Sequence, residues 1–216
     1  MEVPMKTKMI LKALSLSLLI MLFGLAGNGS SHAAAGAEKA TFAGGCFWSM
    51  TIPFEGLDGV VSVTAGYTGG HKKNPTYEEV ETGTTGHAES VEVVYDPSKI
   101  TYTRLLDVFW HNIDPTVRNR QFCDAGEQYR SAIFYHNEEQ KRLAEESKKA
   151  IERSGVLGKH GTIYTQIVPA TPFYKAEEYH QNFHRKNPDQ YLAYRLGCGR
   201  DRRLKEIWGS QAGTHE

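Results

Sequence analysis

The pair Gly44-Gly45, set between a short apolar stretch and Cys46-Phe47-Trp48, constrains this chain more than any other feature. Two successive glycines let a strand end in a tight turn and deliver the next side chain to the start of a helix. Ala40 to Ala43 is then a short strand, and the helix after Cys46 must be brief, because Pro53 cannot continue it. A thiol at a helix start meets unpaired N–H groups and the positive end of the dipole, which favour a negative charge and lower its pKa. The placement makes Cys46 a candidate thiolate nucleophile, with Phe47 and Trp48 as an aromatic wall for a small apolar group. The same residues also fit a buried cysteine opening a core helix. Local chemistry leaves both readings open.

The chain ahead of this motif reads as a leader. Lys6, Lys8 and Lys12 precede the apolar run Ala13 to Ala26, which is shorter than the roughly 20 residues a membrane-crossing helix needs. Ser31-His32-Ala33 and Ala33-Ala34-Ala35 both satisfy the small-x-small rule of signal peptidase. Residues 1–35 are expected to be a signal peptide and 36–216 a single exported, extracytoplasmic domain, periplasmic or equivalent, with no stable membrane insertion once the leader is removed. The formal net charge is zero and no basic block occurs, which removes the electrostatic basis for a nucleic-acid partner. A hydrophobic content of 40% excludes a disordered chain.

Strands are expected at Val60 to Ala65, Ser90 to Tyr95, Ser131 to His136 and Ile163 to Pro169, where β-branched and aromatic residues gather. Helices are expected at Pro75 to Thr82 (capped by Asn74), Tyr102 to Ile113, Asn137 to Ser154, Ala176 to Lys186 and Arg203 to Trp208. Mixed strands and helices of these lengths indicate an α+β or α/β sandwich. The stretch between Ile113 and Ser131 is too polar for core and reads as a functional loop. Leu196-Gly197-Cys198-Gly199 reads as flexible, within a mobile segment from about 189 to 216.

Glu89 stands at the entrance of the strand Ser90 to Tyr95. A carboxylic acid held in an apolar place has a raised pKa and can donate a proton at neutral pH. An exposed edge glutamate is the plain alternative. Three cysteines in an exported protein leave one unpaired, a sign either of a reactive thiol or of a structural disulfide with a spare.

Several motifs in order carry a resemblance: G-C-F-W at 45–48, G-Y-T-G-G at 66–70, N-P-T-Y at 74–77 and T-G-H-A-E at 85–89. They continue with F-W-x-N-x-D-P at 109–115, Q-Y-R-S-A-I at 128–133 and the run from Thr171 to Gln181. Together they resemble the A class of peptide methionine sulfoxide reductases. The resemblance implies a two-layer α/β sandwich with a mixed sheet and a ferredoxin-like core, holding neither metal nor bound cofactor. It implies thiol-dependent reduction of the S epimer of methionine sulfoxide, free or in oxidised proteins. Cys46 would attack sulfur and Glu89 would protonate the departing oxygen, because oxide is a poor leaving group. Tyr77 and Tyr129 match hydroxyls that bind the oxygen, Asp124 an acid near the substrate, and Phe47 and Trp48 the holders of the methyl group. The Cys46 sulfenic acid would condense with a second thiol, and thioredoxin or another external dithiol would reduce the disulfide. Cys198 is the expected resolving residue and Cys123 its rival. Phe183 departs from the pattern, standing where many relatives have a tyrosine.

Two other classes are weaker. His180 and His184 have the spacing of a zinc hydrolase without its glutamate, and His87-Ala88-Glu89 imitates a zinc deaminase without its cysteine pair. A non-enzymatic module gripping apolar peptide would need the aromatic residues alone.

Overall fold

The computed structural model describes residues 36–158 and 161–213; the segment read as a signal peptide lies outside them. The strands are β1 (Glu38–Gly44), β2 (Val60–Thr68), β3 (Ala88–Tyr95), β4 (Arg120–Gln121), β5 (Asp124–Ala125), β6 (Ser131–Tyr135), β7 (Gln166–Pro169) and β8 (Tyr174–Lys175). The α-helices are α1 (Phe47–Thr51), α2 (Tyr77–Glu81), α3 (Tyr102–Trp110), α4 (Glu138–Ser154), α5 (Phe183–Lys186), α6 (Pro188–Cys198) and α7 (Arg200–Trp208). Six strands form one mixed sheet in the order β7-β6-β1-β3-β2-β8, with β6–β7 the parallel pair and its other neighbours antiparallel. The expected α+β class with a mixed sheet is what the chain adopts.

Period-two alternation assigns the faces. Phe42 is paired with Val91 and Ile133, Ala40 with Val93, and Ala65 with Val91, so these side chains share one face. There they meet Leu105, Leu106, Phe109 and Trp110 of α3 in the main core, where Phe42 stacks between Phe54 and Phe109 with ring centroids 5.3 and 5.0 Å away. The same alternation carries on from Val93 and Val91 to Glu89, which pairs with Tyr67 and so turns a carboxyl into the packed layer. That is why the strand-entrance glutamate is 2% exposed.

Three expectations are corrected. The helix expected from Pro75 is capped by Thr76, in a capping box with Glu79, because Asn74 takes a left-handed φ of 47°. The helix expected over Ala176 to Lys186 shrinks to α5, since Asn182 is also left-handed and the polar side chains before it bond to other elements. The segment expected to be flexible from about residue 189 is folded into α6 and α7, with Leu204, Ile207 and Trp208 buried against the core. The polar loop between Ile113 and Ser131 contains the β4–β5 hairpin, held by the Gln121 side chain, which accepts from Asp114 N at 2.9 Å and donates to Asp114 O at 2.7 Å.

The edge strand β8 leans on Gly66, whose missing side chain leaves room for it. A Cβ there would lie 2.5 Å from the Tyr174 carbonyl oxygen and 2.4 Å from the Phe173 ring. Backbone cannot yield as a flexible side chain does, so Gly66→Ala should lower unfolding free energy by about 2 kcal/mol, read from urea melts. An unchanged midpoint would show that β8 shifts freely.

Candidate active site

Gly45, with φ of +81°, makes the turn between β1 and α1, and its Cα faces Gln121 so closely that a Cβ would lie 2.5 Å from that side chain. Cys46 follows as the N-cap of α1. It is 7% exposed and is the free cysteine of the described residues. The helix start does not produce the expected thiolate. Burial, then the charges of Glu89 and Asp124, push the Cys46 thiol well above its ordinary range. The first N–H of α1 is spent on another group: Phe47 N donates to Glu89 Oε2 at 2.9 Å. Burial in turn pushes Glu89 up to about 8, outweighing that hydrogen bond.

The other expected hydroxyls and acid assemble around this pair. Tyr129 feels Glu89, Asp124 and Cys46, and Tyr77 feels Glu89 and Tyr129; desolvation is the largest cause holding both phenols protonated. Asp124 opens β5, and burial raises its carboxyl above the usual range. Trp48 stacks flat on Phe183, centroids 3.7 Å apart at 4°. Phe47 lies deeper, between Tyr67 and His180, leaving Trp48 as the partly exposed aromatic of the two.

The two rival thiols are bonded to each other. Cys123, at the hairpin tip, and Cys198, ending α6, form a disulfide with Cα atoms 4.8 Å apart. A Cys46–Cys198 bond is therefore not the one present.

The contacts of several residues of the site escaped the sequence reading. Glu177 accepts from Tyr67 Oη and from Tyr77 N, each at 2.8 Å, which pins the two tyrosines to one carboxylate. His180 Nδ1 accepts from Trp48 Nε1 at 3.0 Å and so sets the indole plane. His184 approaches Glu55 at 3.4 Å, a different partner, so the two histidines serve separate contacts. Gln181 clasps the β2 backbone at Ala65 through both amide atoms at 3.0 Å. Arg200 is fully buried, donating to Gly44 O at 3.1 Å and Asn112 O at 2.9 Å beneath the turn that carries Cys46. Tyr194 donates to Asp124 Oδ2 at 2.5 Å and lies near enough to the Cys46 thiol to favour its ionised form. Its i,i+4 spacing to Cys198 was the available signal, lost because that segment was read as flexible.

The family model for peptide methionine sulfoxide reductase matches residues 38–212. The peptide methionine sulfoxide reductase MsrA of Bacillus licheniformis is 54% identical over 172 residues, covering 80% of this chain and 94% of that protein. The MsrA of Bacillus subtilis is 52% identical over 174 residues, covering 81% and 97%. Among solved structures, methionine sulfoxide reductase A of Corynebacterium diphtheriae superposes with a TM-score of 0.68 at 37% identity, over 72% of this chain and 77% of that one. Reduced Mxr1 of Saccharomyces cerevisiae gives a TM-score of 0.65 at 35% identity, over 72% and 88%. A family match across the whole described domain, with half the residues identical to curated relatives, places this chain in the A class of peptide methionine sulfoxide reductases.

Proposed function

We propose that Cys46 is the nucleophile and Glu89 the acid in the reduction of methionine-S-sulfoxide, in proteins and as the free amino acid. The observation that carries this assignment is a free, buried thiol beside a carboxyl that keeps its proton at neutral pH. Attack at sulfur succeeds only if the oxygen is protonated as it leaves. A neutral Glu89 also removes one of the two charges that oppose a thiolate at Cys46. Tyr77 and Tyr129 hold the oxygen as hydrogen-bond donors, Asp124 flanks the reacting sulfur, and Trp48 with Phe47 takes the methyl group. Neither metal nor bound cofactor is needed for these steps.

The reaction leaves Cys46 as a sulfenic acid. Cys198 condenses with it, releasing water and forming a Cys46–Cys198 bond; Cys123 then attacks Cys198 and returns Cys46 as a thiol. The Cys123–Cys198 disulfide beside a free Cys46 fits the state after both exchanges. Cys123 is exposed and Cys46 buried, so a protein reductant can reach the disulfide but not the nucleophile. A thioredoxin-like dithiol protein is the partner suited to that surface, and oxidised methionine-containing proteins are the clients. Export is supported by the leader pattern in residues 1–35 and by a family match that begins only at residue 38. No helix among the described residues is long and apolar enough to cross a membrane. N-terminal sequencing of protein from the cell envelope should find a start near residue 36.

Cys46→Ser should abolish turnover, and Glu89→Gln should lower kcat by about a hundredfold with KM little changed. Because Glu89 acts in its protonated form, wild-type activity should fall as pH rises through about 8, and that limb should vanish in Glu89→Gln. Equal turnover of Glu89→Gln and wild type would remove Glu89 from the acid role. With no added reductant, fully reduced enzyme should yield about two methionines per chain from the S epimer alone, since each exchange sequence restores Cys46. Cys198→Ser should yield about one. A single equivalent from wild type would show that Cys46 stays in the first disulfide.

A further inference from the structure

We propose that Tyr194 and Asp124 form the path by which the Cys46 thiol gives up its proton as its sulfur attacks, a role that rests on the sulfoxide reductase reading above. A thiol only 7% exposed meets little solvent that could take that proton. Glu89 already delivers a proton to the oxygen and cannot accept another in the same step. Of the other groups facing Cys46, Tyr129 is a protonated phenol and Arg200 a cation, so neither is a base. Tyr194 is different in its connections. Its hydroxyl lies near enough to the Cys46 thiol to favour the ionised sulfur, and it donates to Asp124 Oδ2 at 2.5 Å. A phenolic hydroxyl accepts one hydrogen bond while donating another, so the proton moves from sulfur to Tyr194 as the Tyr194 proton moves to the carboxylate.

The framework holds both ends of this path. Cys123 directly precedes Asp124, Cys198 lies one helical turn beyond Tyr194, and the disulfide between them ties hairpin to helix. Trp48 meets the Tyr194 ring edge-on at 5.8 Å and limits its swing. Burial raises the Asp124 carboxyl, while the Tyr194 hydrogen bond and then the neighbouring Arg200 guanidinium favour its ionised form, the form that accepts.

The step balances as follows. The Cys46 sulfur bonds to the sulfoxide sulfur, its proton resting on Asp124 and the Glu89 proton on the oxygen. That oxygen takes the Asp124 proton and leaves as water, breaking the S–O bond. Water then adds to the Cys46 sulfur as the thioether departs, and the proton it sheds restores Glu89. Thiol plus sulfoxide becomes sulfenic acid plus thioether, with the Cys46 sulfur oxidised by two electrons and the substrate sulfur reduced by two.

The test uses the full chain with its Cys123–Cys198 disulfide formed, mixed with a methionine-S-sulfoxide peptide while methionine is timed over one turnover. Tyr194→Phe and Asp124→Asn should each slow methionine formation by about a hundredfold, and the double variant should be no slower than the slower single one. Iodoacetamide labelling of Cys46 is read beside it without sulfoxide. Tyr194→Phe should label more slowly than wild type, because the thiol has lost its outlet; faster labelling would make Tyr194 a mere cover and overturn the proposal. Single variants as fast as wild type, or losses that multiply in the double variant, would also overturn it. Should Asp124→Asn fail to fold, the turnover and labelling rates of Tyr194→Phe decide. A wild type that labels normally but forms no methionine refutes the reductase reading instead, with the labelling rates still judging the path.

Discussion

The meeting of Phe47 N–H and the Glu89 carboxyl organises the rest of the site. It joins the end of one strand to the start of the short helix next door, and it decides which group takes the favourable end of that helix. Because the acid takes it, the thiol beside it is left neutral, chiefly by burial. The enzyme therefore rests with both protons in place, one on sulfur and one on Glu89. No standing thiolate is stored at the helix start.

Some of this was legible in the chain, and the reasons are local. Gly44-Gly45 announced the turn because few other residues permit it, and Glu89 fell on the buried face because strand alternation is strict. Asn137 and the charged run after it foretold α4, whose cap is the Asn137 side chain accepting from Gln140 N. What could not be read were groups whose partners lie far away in sequence. Glu177, His180 and Gln181 looked like one helical face, yet each serves a different element, and their hydrogen bonds outweigh the helix. The glycines flanking Cys198 suggested a free tail, but α6 runs through Gly197 and the segment is held by buried Arg195, Arg200 and Leu204. The charge state of Cys46 failed for the same cause: it depends on Glu89 and Asp124, which reach it only in the fold.

The three cysteines divide labour by depth. On the proposed route oxidation is accepted in the interior, at buried Cys46, and is carried to the hairpin tip, where Cys123 is exposed. The pairing of Cys123 with Cys198 also accounts for the exposed loop position of Cys123, which a merely buried thiol would not require.

Arg200 adds a matter of timing. Its bond to Gly44 O closes the nucleophile turn from 156 residues further along the chain. A polypeptide made from its N-terminus must complete nearly its whole length before that guanidinium arrives. Until then Cys46 lacks its floor, its burial and its neighbours on α6. The reactive centre is thus assembled last, and an incomplete chain carries an ordinary cysteine rather than a working reductase.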